Sequence, residues 1–496
     1  MKSVIKNIMK IRKYLFLSLI VFMSSCSDWL DVTPKDIVDE DDLFTSYQGY
    51  RNALNGVYKQ MGATGMYGKE LSWGFVDVLA WSYYSGRGYI ESTNTYYDVM
   101  DFKYTGDKVK IFIETIWTET YNAIANCNNI IERIQTEDTT MFPLGKYEKN
   151  LILGEAIGLR AFLHFDMLRL FAPAPIMDDN KLYIPYFKTF PSYGEKNCTV
   201  KEIFEYIMVD LKAAKDLVAS YDTLTAENVL RLTKEGGNFI LNSNYNPDDV
   251  FYAFRGYRMN YPAIVSIMAR VYNYAGKHDE AFACVKEVFD LKTERDDELY
   301  QFTPDDDVNT DRKMRMDLIF AVASKKLLDN YFPYTQNTSS SRGDGVARLV
   351  LRDWHTLFDD PADYRKTKLS TAVNGSSRYF MPNRNIQIST EENDVCPIIR
   401  LSELYYILAE YYMSKENWTE AANQLDVVRG GRNCTKGRLN ITNEETFKIE
   451  LLKEVRREFV TEGQKFFYYK KFNEKCSTGM TQEDFVLPLP DSESIN

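Results

Sequence analysis

The fold is indicated most clearly by two stretches of sequence, MARVYNYAGKHDEAFACVKEVF at 268–289 and LAEYYMSKENWTEAANQLDVVR at 408–429. They align without a gap, and apolar residues recur in both at the three- and four-residue intervals of an amphipathic helix. Small alanines would let two antiparallel helices approach closely, while a tyrosine would fill the space beside the turn. Each stretch therefore predicts a helical hairpin. The matched pairs are Ala269 with Ala409, Tyr272 with Tyr412, Glu280 with Glu420, Ala281 with Ala421 and Val288 with Val428, and the turns would be Gly276-Lys277 and Glu416-Asn417.

Each predicted hairpin resembles a tetratricopeptide-type repeat, in which stacked helix pairs build a scaffold. The two copies are not in tandem, so the chain is not a regular solenoid, although helical pairs between them could be degenerate repeats. Strand-like alternation is sparse by comparison. We therefore predict a mainly α fold, with hairpins as the scaffold and long irregular, loop-rich excursions around 63–105 and 291–397. Helical periodicity is seen over 43–61, 111–134, 151–171, 200–218, 261–289, 398–428 and 447–460.

The N-terminus has the pattern of a secretion signal. Five basic residues within 2–13 precede an apolar run, YLFLSLIVFM at 14–23, which is too short to span a bilayer as a helix. The tetrapeptide Met-Ser-Ser-Cys that ends at Cys26 resembles the lipobox of bacterial lipoproteins, with small residues before the cysteine that is lipidated. We therefore expect residues 1–25 to be removed and Cys26 to carry a lipid anchor. The alternative is ordinary secretion, with Cys26 incidental.

The charge balance of the chain is acidic. Lys and Arg number 60 against 71 Asp and Glu, which gives a net charge of −11. The five basic residues of the signal would leave with it, so 55 basic residues would face 71 acidic ones, a net charge of −16. Such a surface repels phosphate backbones, and we expect no nucleic-acid partner. After the signal, no uninterrupted apolar run is long enough to span a membrane.

The sequence lacks motifs for catalysis, cofactors or metals. Six cysteines remain after Cys26 without any CxxC, and the three histidines lie far apart, so no zinc site is indicated. The segment 305–311 has the alternating acidic residues that begin a calcium loop, but Thr310 replaces the required glycine and Met316 the closing carboxylate, so we predict a solvated acidic loop. No nucleotide-binding loop or nucleophile elbow occurs. We expect no cofactor and no enzymatic activity, and a glycoside hydrolase ranks third among the alternatives.

An aromatic-rich segment, WGFVDVLAWSYYSGRGYIESTNTYY at 73–97, suggests a ligand-binding surface. It follows neither helical nor strand periodicity, and small polar residues separate its rings, as in a loop-rich surface that displays aromatic side chains. Sugar rings stack on exposed aromatic faces, while sugar hydroxyl groups need polar partners. A second, weaker candidate is 329–334 with the polar run 336–345 after it; the alternative for any single ring is core packing. The candidate binding residues are Trp73, Asp77, Trp81, Tyr83, Tyr84, Arg87, Tyr89, Asn94, Tyr96, Tyr331 and Tyr334.

Six segments, in order along the chain, resemble motifs of the SusD-like (RagB/SusD) family. Two departures are mild: Ala172 stands where glycine is usual in the family, and Tyr468 where aspartate is common. A single motif would be weak, but the six together extend over nearly the whole chain. They are CSDWLDVTPKDIVDEDDLF (26–44), LNGVY (54–58), GEAIGLRAFLHFDMLRLFAPAPI (154–176), IIRLSELYYILAE (398–410), EVRREFVTEGQKFFYYKKF (454–472) and FVLPLP (485–490).

The resemblance implies a nutrient-binding lipoprotein on the outer membrane that faces the outside of the cell and most often binds a glycan. It also implies a partner, a SusC-like TonB-dependent transporter, on which the protein would sit as a lid. A branch of the family is peptide-specific, so a peptide- or protein-binding uptake lipoprotein is the alternative. One SusD-like domain would occupy 26–496. The residues themselves predict structural ion pairs for the charged groups of the motifs, at Arg400, Glu403, Glu410 and within 456–462.

Overall fold

The computed structural model describes residues 40–233, 247–335, 348–385 and 394–493. The signal sequence, the Cys26 lipidation site and the polar run 336–345 lie outside the described residues. The chain divides into two compact units, a short one that ends at Gly49 and the body of the molecule, Tyr50–Asn496. The assignment of one family domain to 26–496 stays a prediction.

The described residues are mainly helical, which confirms the predicted fold class, and their strands are short. The helices are α1 (Glu40–Leu43), α2 (Tyr47–Met61), α3 (Phe75–Leu79), α4 (Thr95–Met100), α5 (Asp107–Thr136), α6 (Lys146–Phe171), α7 (Val200–Asp222), α8 (Ala226–Leu230), α9 (Tyr261–Tyr274), α10 (His278–Asp290), α11 (Leu327–Tyr331), α12 (Trp354–Leu357), α13 (Tyr364–Thr367), α14 (Leu401–Ser414), α15 (Trp418–Gly431), α16 (Glu444–Glu458) and α17 (Lys465–Lys471). The strands are β1 (Leu182–Pro185), β2 (Asn197–Thr199), β3 (Leu318–Ala323), β4 (Ser370–Ala372), β5 (Phe380–Pro382) and β6 (Val395–Arg400).

Helix α6 is a central element of the scaffold and packs against both α5 and α7. All of its residues from Gly154 to Phe171 are buried. Gly154 permits the close approach of α7, because a Cβ atom there would lie 2.8 Å from Cγ1 of Val218. The buried Arg160 on α6 donates to both carboxylate oxygens of Asp210 on α7, at 2.7 and 2.8 Å. The charge is therefore neutralised inside the helix interface.

Both predicted helical hairpins are present, as α9 with α10 and as α14 with α15, and α10 also packs against α14. Ala281 and Ala421, which the sequence alignment matches, are both fully buried. Their small side chains allow the paired helices to approach, as the sequence predicts.

The two hairpin turns have the same backbone geometry. Gly276 and Glu416 occupy equivalent positions with φ of +70° and +53°. After each of them, a backbone N–H donates to the carbonyl five residues earlier at 2.9 Å, from Lys277 to Tyr272 and from Asn417 to Tyr412. This is the bond that closes a helix C-terminus in the Schellman motif.

Strands β3 and β6 form an antiparallel pair that the helical periodicity does not predict. The predicted helix over 398–428 is wrong at its start, since Ile398 and Ile399 belong to β6 and α14 begins only at Leu401. All six residues of β6 are buried. In a short apolar run next to a helix, the spacing of apolar residues does not distinguish a strand from a helix. Here the residues form a strand because they pair with β3.

The charged residues of the motifs form buried ion pairs, which confirms their predicted structural role. Arg400 lies 2.8 Å from a carboxylate oxygen of Glu462 and 3.0 Å from one of Asp317. Glu403 accepts two hydrogen bonds from Arg270 on α9, and Glu410 pairs with Lys471 at 2.6 Å. These contacts join distant parts of the chain, and in each of them a buried charge meets a partner of opposite sign.

Candidate ligand-binding site

The first half of the predicted aromatic surface lies in the protein core. Every residue from Leu71 to Ala80 is buried, and Phe75–Leu79 forms the short helix α3. Trp73 has 1% of its surface exposed and contacts the rings of Tyr331 and Tyr334 at 5.0 and 5.3 Å between centroids. The expectation that Trp73 offers an exposed ring face is therefore wrong. An irregular segment so rich in rings buries them against one another, because each buried aromatic side chain gains packing and apolar contact.

Asp77 and Tyr83 are buried beside Trp73. The Tyr83 hydroxyl donates to the Trp73 carbonyl at 3.1 Å and lies 3.4 Å from a carboxylate oxygen of Asp77. Burial raises the pKa of Asp77 to about 7. The prediction of surface roles for these two residues is wrong, since their polar atoms face the interior.

Three further candidates have structural partners. The buried Tyr96 donates its hydroxyl to Glu70 at 2.9 Å, and the buried Tyr331 donates to the Pro382 carbonyl at 2.8 Å. Asn94 is the N-cap of α4, where its side chain accepts from the backbone N–H of Tyr96 at 2.9 Å. Tyr96 and Tyr331 thus belong to the core and not to an exposed platform, a second correction of the predicted site. Tyr334 is partly exposed and packs on Trp73.

The structure instead forms a partly exposed cluster from three tyrosines, Tyr84, Tyr89 and Tyr379, which we call the tyrosine cluster. Ring centroids lie 5.9 Å apart for Tyr84 and Tyr89, 5.6 Å for Tyr84 and Tyr379, and 5.5 Å for Tyr89 and Tyr379. The three rings rest on a small apolar core of Val350, Val373 and Met381. They combine ring surface with hydroxyl groups at one place on the molecule.

Local backbone structure brings these rings together. Tyr84 and Tyr89 flank a tight turn in which Gly86 and Gly88 have φ of +116° and +83°, values that glycine adopts without strain. The backbone N–H of Tyr84 donates to the Val350 carbonyl at 2.8 Å and fixes this turn to a later part of the chain. Tyr379 immediately precedes β5, which pairs with β4. Each ring is therefore positioned by a backbone hydrogen-bond pattern and not by side-chain packing alone.

Polar groups surround the rings. The Tyr84 hydroxyl donates to a carboxylate oxygen of Asp353 at 2.8 Å and accepts from the Asp353 backbone N–H at 3.1 Å. Burial raises the pKa of both Tyr84 and Tyr89, so the two hydroxyl groups stay protonated at neutral pH. The cluster can offer donors and acceptors as well as ring faces.

Trp81 lies beside the cluster and is half-buried. Its indole N–H donates to the Met100 carbonyl at 2.7 Å, and the guanidinium carbon of Arg352 lies 4.4 Å from its ring centroid. One ring face is thus covered by a cation. Of the predicted residues, the structure brings Tyr84, Tyr89 and the exposed Arg87 together near Trp81.

Tyr379 was missed by the sequence reasoning, because nearly 300 residues separate it from Tyr84 in the chain. The segment NGSSRYF at 374–380 has the same pattern as the first aromatic segment, an arginine and aromatic residues after small polar residues.

The acidic side chains of the predicted acidic loop form ion pairs within the protein. Asp305 pairs with Lys368 at 2.9 Å, and Asp311 pairs with Arg315 at 3.4 Å. Within the described ranges, no group of three or more acidic, cysteine or histidine side chains is placed to hold a metal ion.

A separate groove of about 490 Å³ lies between the start of α5 and the segment Pro488–Asp491. Its lining includes Tyr104, the exposed Ile111 and the buried Ile113, and it shares no lining residue with the tyrosine cluster. The groove is predominantly apolar.

Among the helices that the structure describes, none has the length and apolar character to cross a membrane.

Two family models match the chain. Residues 28–235 match a SusD-like model described as "Starch-binding associating with outer membrane", and residues 291–484 match the model of the SusD family. SusD-like protein P2 of Formosa agariphila is 23% identical over 208 residues, which are 42% of this chain and 38% of that protein. The match thus spans well under half the length of that relative.

Solved structures share the fold. A SusD superfamily protein of Bacteroides thetaiotaomicron superposes with a TM-score of 0.68 at 20% identity and covers 92% of this chain and 98% of its own. A putative sugar binding protein of Bacteroides vulgatus gives 0.66 at 19% identity, with 90% and 96% covered. A SusD-like carbohydrate binding protein of the same species gives 0.61 at 17% identity, with 87% and 84% covered. Because two models of this family match in succession over most of the chain, the chain belongs to the SusD-like (RagB/SusD) family.

Proposed function

We propose that the protein binds a glycan through the tyrosine cluster and passes it, uncleaved, to a SusC-like TonB-dependent transporter. The observation that carries the proposal is the set of three mutually contacting, partly exposed rings at centroid distances of 5.5–5.9 Å. Family membership supports a carbohydrate ligand. Catalysis is not part of the proposed role.

Stacking gives a physical reason for this choice of ligand. The C–H face of a sugar ring is apolar and fits an aromatic face, while the sugar hydroxyl groups need hydrogen-bond partners at the edges. The tyrosine cluster supplies rings and hydroxyl groups, and Asp353 lies next to Tyr84. A binding surface of this kind recognises a sugar by its shape and its hydroxyl pattern.

The expected affinity is modest. Each stacking ring contributes about 1 kcal/mol beyond area burial, and ordering a flexible glycan opposes part of that gain. Modest affinity suffices where a transporter is held next to the site, since the local concentration of captured ligand is then high. Such proximity requires that the protein be held at the membrane, so we also propose lipid attachment at Cys26 and a position on the outer face of the outer membrane.

Two substitutions test the site. Replacing Tyr89 and Tyr379 together by alanine should lower glycan affinity by about 2 kcal/mol, or roughly thirtyfold, because two stacking faces are lost. Retention on affinity gels that contain a panel of polysaccharides measures the effect, and calorimetry with the retained polysaccharide gives its size. Tyr193→Ala is the matched control, since this ring is 87% exposed and stands apart from the cluster in sequence.

The double variant must remain folded, which its thermal unfolding curve checks. Wild-type affinity in a folded double variant would discard the tyrosine cluster as the site.

A peptide ligand remains the alternative, and the apolar groove beside α5 is the feature that favours it. Peptide pull-down and glycan-array screening of the same protein separate the two. Capture of peptides that Ile111→Asp abolishes and Tyr89→Ala leaves intact would assign the ligand to the groove. Retention of a glycan that depends on Tyr89 and Tyr379 would support the proposal.

A further inference from the structure

We infer that the ligand of the tyrosine cluster is an anionic glycan, whose carboxylate or sulfate groups are recognised by four arginines around the rings. This inference rests on the proposed function and specifies its substrate class. The arginines are Arg87, Arg348, Arg352 and Arg378.

Two of the arginines contact the rings directly. The guanidinium carbon of Arg352 lies 4.4 Å from the ring centroid of Trp81 and 5.1 Å from that of Tyr84. The guanidinium carbon of Arg378 lies 5.5 Å from the ring centroid of Tyr379. A guanidinium group held against an aromatic face keeps its N–H edge available for an acceptor.

The other two arginines lie at the edge of the cluster. The backbone N–H of Arg348 donates to the Tyr89 carbonyl at 3.2 Å, and the positive charge of Arg348 acts on the Tyr89 hydroxyl. Arg87 is exposed at the tip of the turn between Gly86 and Gly88. Two of the four guanidinium groups thus contact the rings, Arg348 acts on Tyr89, and Arg87 lies on the turn between Tyr84 and Tyr89.

The acidic side chains nearby already have hydrogen-bond partners. Asp353 accepts from the Tyr84 hydroxyl at 2.8 Å, and Glu91 accepts from the Gly88 backbone N–H at 2.8 Å. In the part of the chain that the structure describes, none of the four arginines forms an ion pair with a carboxylate. Among the described residues named here, the four arginines outnumber the two carboxylates, Asp353 and Glu91, which gives this group a positive balance.

This local charge opposes that of the whole chain, which is −11. A protein with a negative net charge repels polyanions in general. The positive charge around the tyrosine cluster is therefore a local feature and not part of a generally basic surface. Arginine binds carboxylate and sulfate oxygens through paired N–H groups, which gives both direction and strength. Arg348 and Arg352 are partly buried, and Arg352 already donates to the Tyr83 carbonyl at 3.2 Å. An anionic glycan would supply the guanidinium groups with acceptors of opposite charge, which a neutral glycan lacks.

Matched pairs of polysaccharides test the inference. Polygalacturonate is compared with its methyl ester, and dextran sulfate with dextran, so that each pair differs mainly in charge. We expect at least one charged member to bind about tenfold more tightly than its neutral partner in calorimetry, with an affinity that falls as salt rises. The first pair reports a carboxylate and the second a sulfate ester.

Variants then assign the charge to the cluster. Arg87→Gln combined with Arg378→Gln should lower the affinity for the charged member about tenfold and leave that for the neutral member unchanged. Arg378→Lys should retain part of the affinity, because the charge remains but the paired N–H geometry is lost. Lys201→Gln, which removes an exposed positive charge on α7, is the control and should change neither affinity.

The outcomes separate the inference from the proposed function. Equal binding of both members of each pair, lost on Tyr89→Ala with Tyr379→Ala, overturns the inference and leaves the proposed function standing. Binding of the charged members that survives the arginine variants also overturns it, since the polyanion would then bind elsewhere. Absence of binding to the whole polysaccharide panel overturns both.

Discussion

His164 is a fully buried imidazole on α6 whose surroundings require the neutral form. Its Nε2 accepts from the backbone N–H of Phe187 at 3.0 Å, and its Nδ1 lies 2.9 Å from the Arg160 carbonyl oxygen. The Nδ1 atom therefore carries the proton and donates to that carbonyl. Burial lowers the pKa of this imidazole to about 3.

Acidification should cost stability through His164. In the unfolded chain the ring takes up a proton near its ordinary pKa of 6.5, but in the folded protein only near 3, so its contribution is complete above 6.5 and declines as pH falls. The loss between pH 7 and pH 5 is about 2 kcal/mol. Urea unfolding at both pH values, compared between wild type and His164→Gln, measures it.

The comparison with the variant is needed because Asp77 acts in the opposite direction. Burial raises the pKa of Asp77 to about 7, so acidification favours the folded state at this group. The His164→Gln variant retains Asp77. The contribution of Asp77 is therefore the same in both proteins and cancels when the pH dependence of the variant is subtracted from that of the wild type. Equal pH dependence in the two proteins would contradict the assignment of a buried neutral imidazole.

Trp73 and Tyr84 show why residue type does not decide between core and surface. Both lie in one aromatic segment between small or polar residues, and either could have been exposed. Trp73 is covered by Tyr331 and Tyr334, which come from a part of the chain about 260 residues later. Contacts over such separations leave no local pattern, so the sequence predicts a site in this segment but not which rings are available to a ligand.

At the scale of elements, the two hairpin turns differ in one informative residue. Gly276 adopts a φ of +70° without cost, whereas Glu416 adopts +53° with a side chain. A Cβ atom in the left-handed region costs about 1–2 kcal/mol, and glycine avoids that cost. The exposed Glu416 forms part of the turn and not of the core.

Glu416→Gly should therefore stabilise the protein. We expect a gain of about 0.5–1 kcal/mol in the free energy of unfolding, after allowance for the greater freedom of glycine in the unfolded chain. Gly276→Ala is the reciprocal change and should cost about 1 kcal/mol, since the position is sterically open and only the backbone conformation is strained. Denaturant unfolding of both variants gives the two values, and a loss of stability in Glu416→Gly would contradict the strain argument.

The hairpins were predictable because their evidence is local: period, small residues and turn positions all lie within about 25 residues. The antiparallel pair β3 and β6 was not, because it joins residues about 80 positions apart. The charged residues could be assigned a structural role, but their partners could not be named. Arg400 pairs with Glu462 and Asp317, which approach it only in the folded chain.

At the scale of the whole molecule, attachment to the membrane is predicted to depend on Cys26. Cys26→Ser should release the protein from the membrane fraction into a soluble form, because two or more acyl chains provide durable attachment and no other anchor is predicted. Fractionation followed by mass spectrometry of the mature N-terminus measures both location and modification. Retention of Cys26→Ser in the membrane fraction, or an unlipidated N-terminus in wild type, would contradict this prediction.

The tyrosine cluster joins two remote parts of the chain, since the backbone of Tyr84 is bonded to Val350 and its ring contacts Tyr379. Under the proposed function, an incompletely synthesised chain that ends before this second part would lack the capture surface. Under the proposed function, ligand retention would therefore report that both parts of the chain are present and joined in the folded protein.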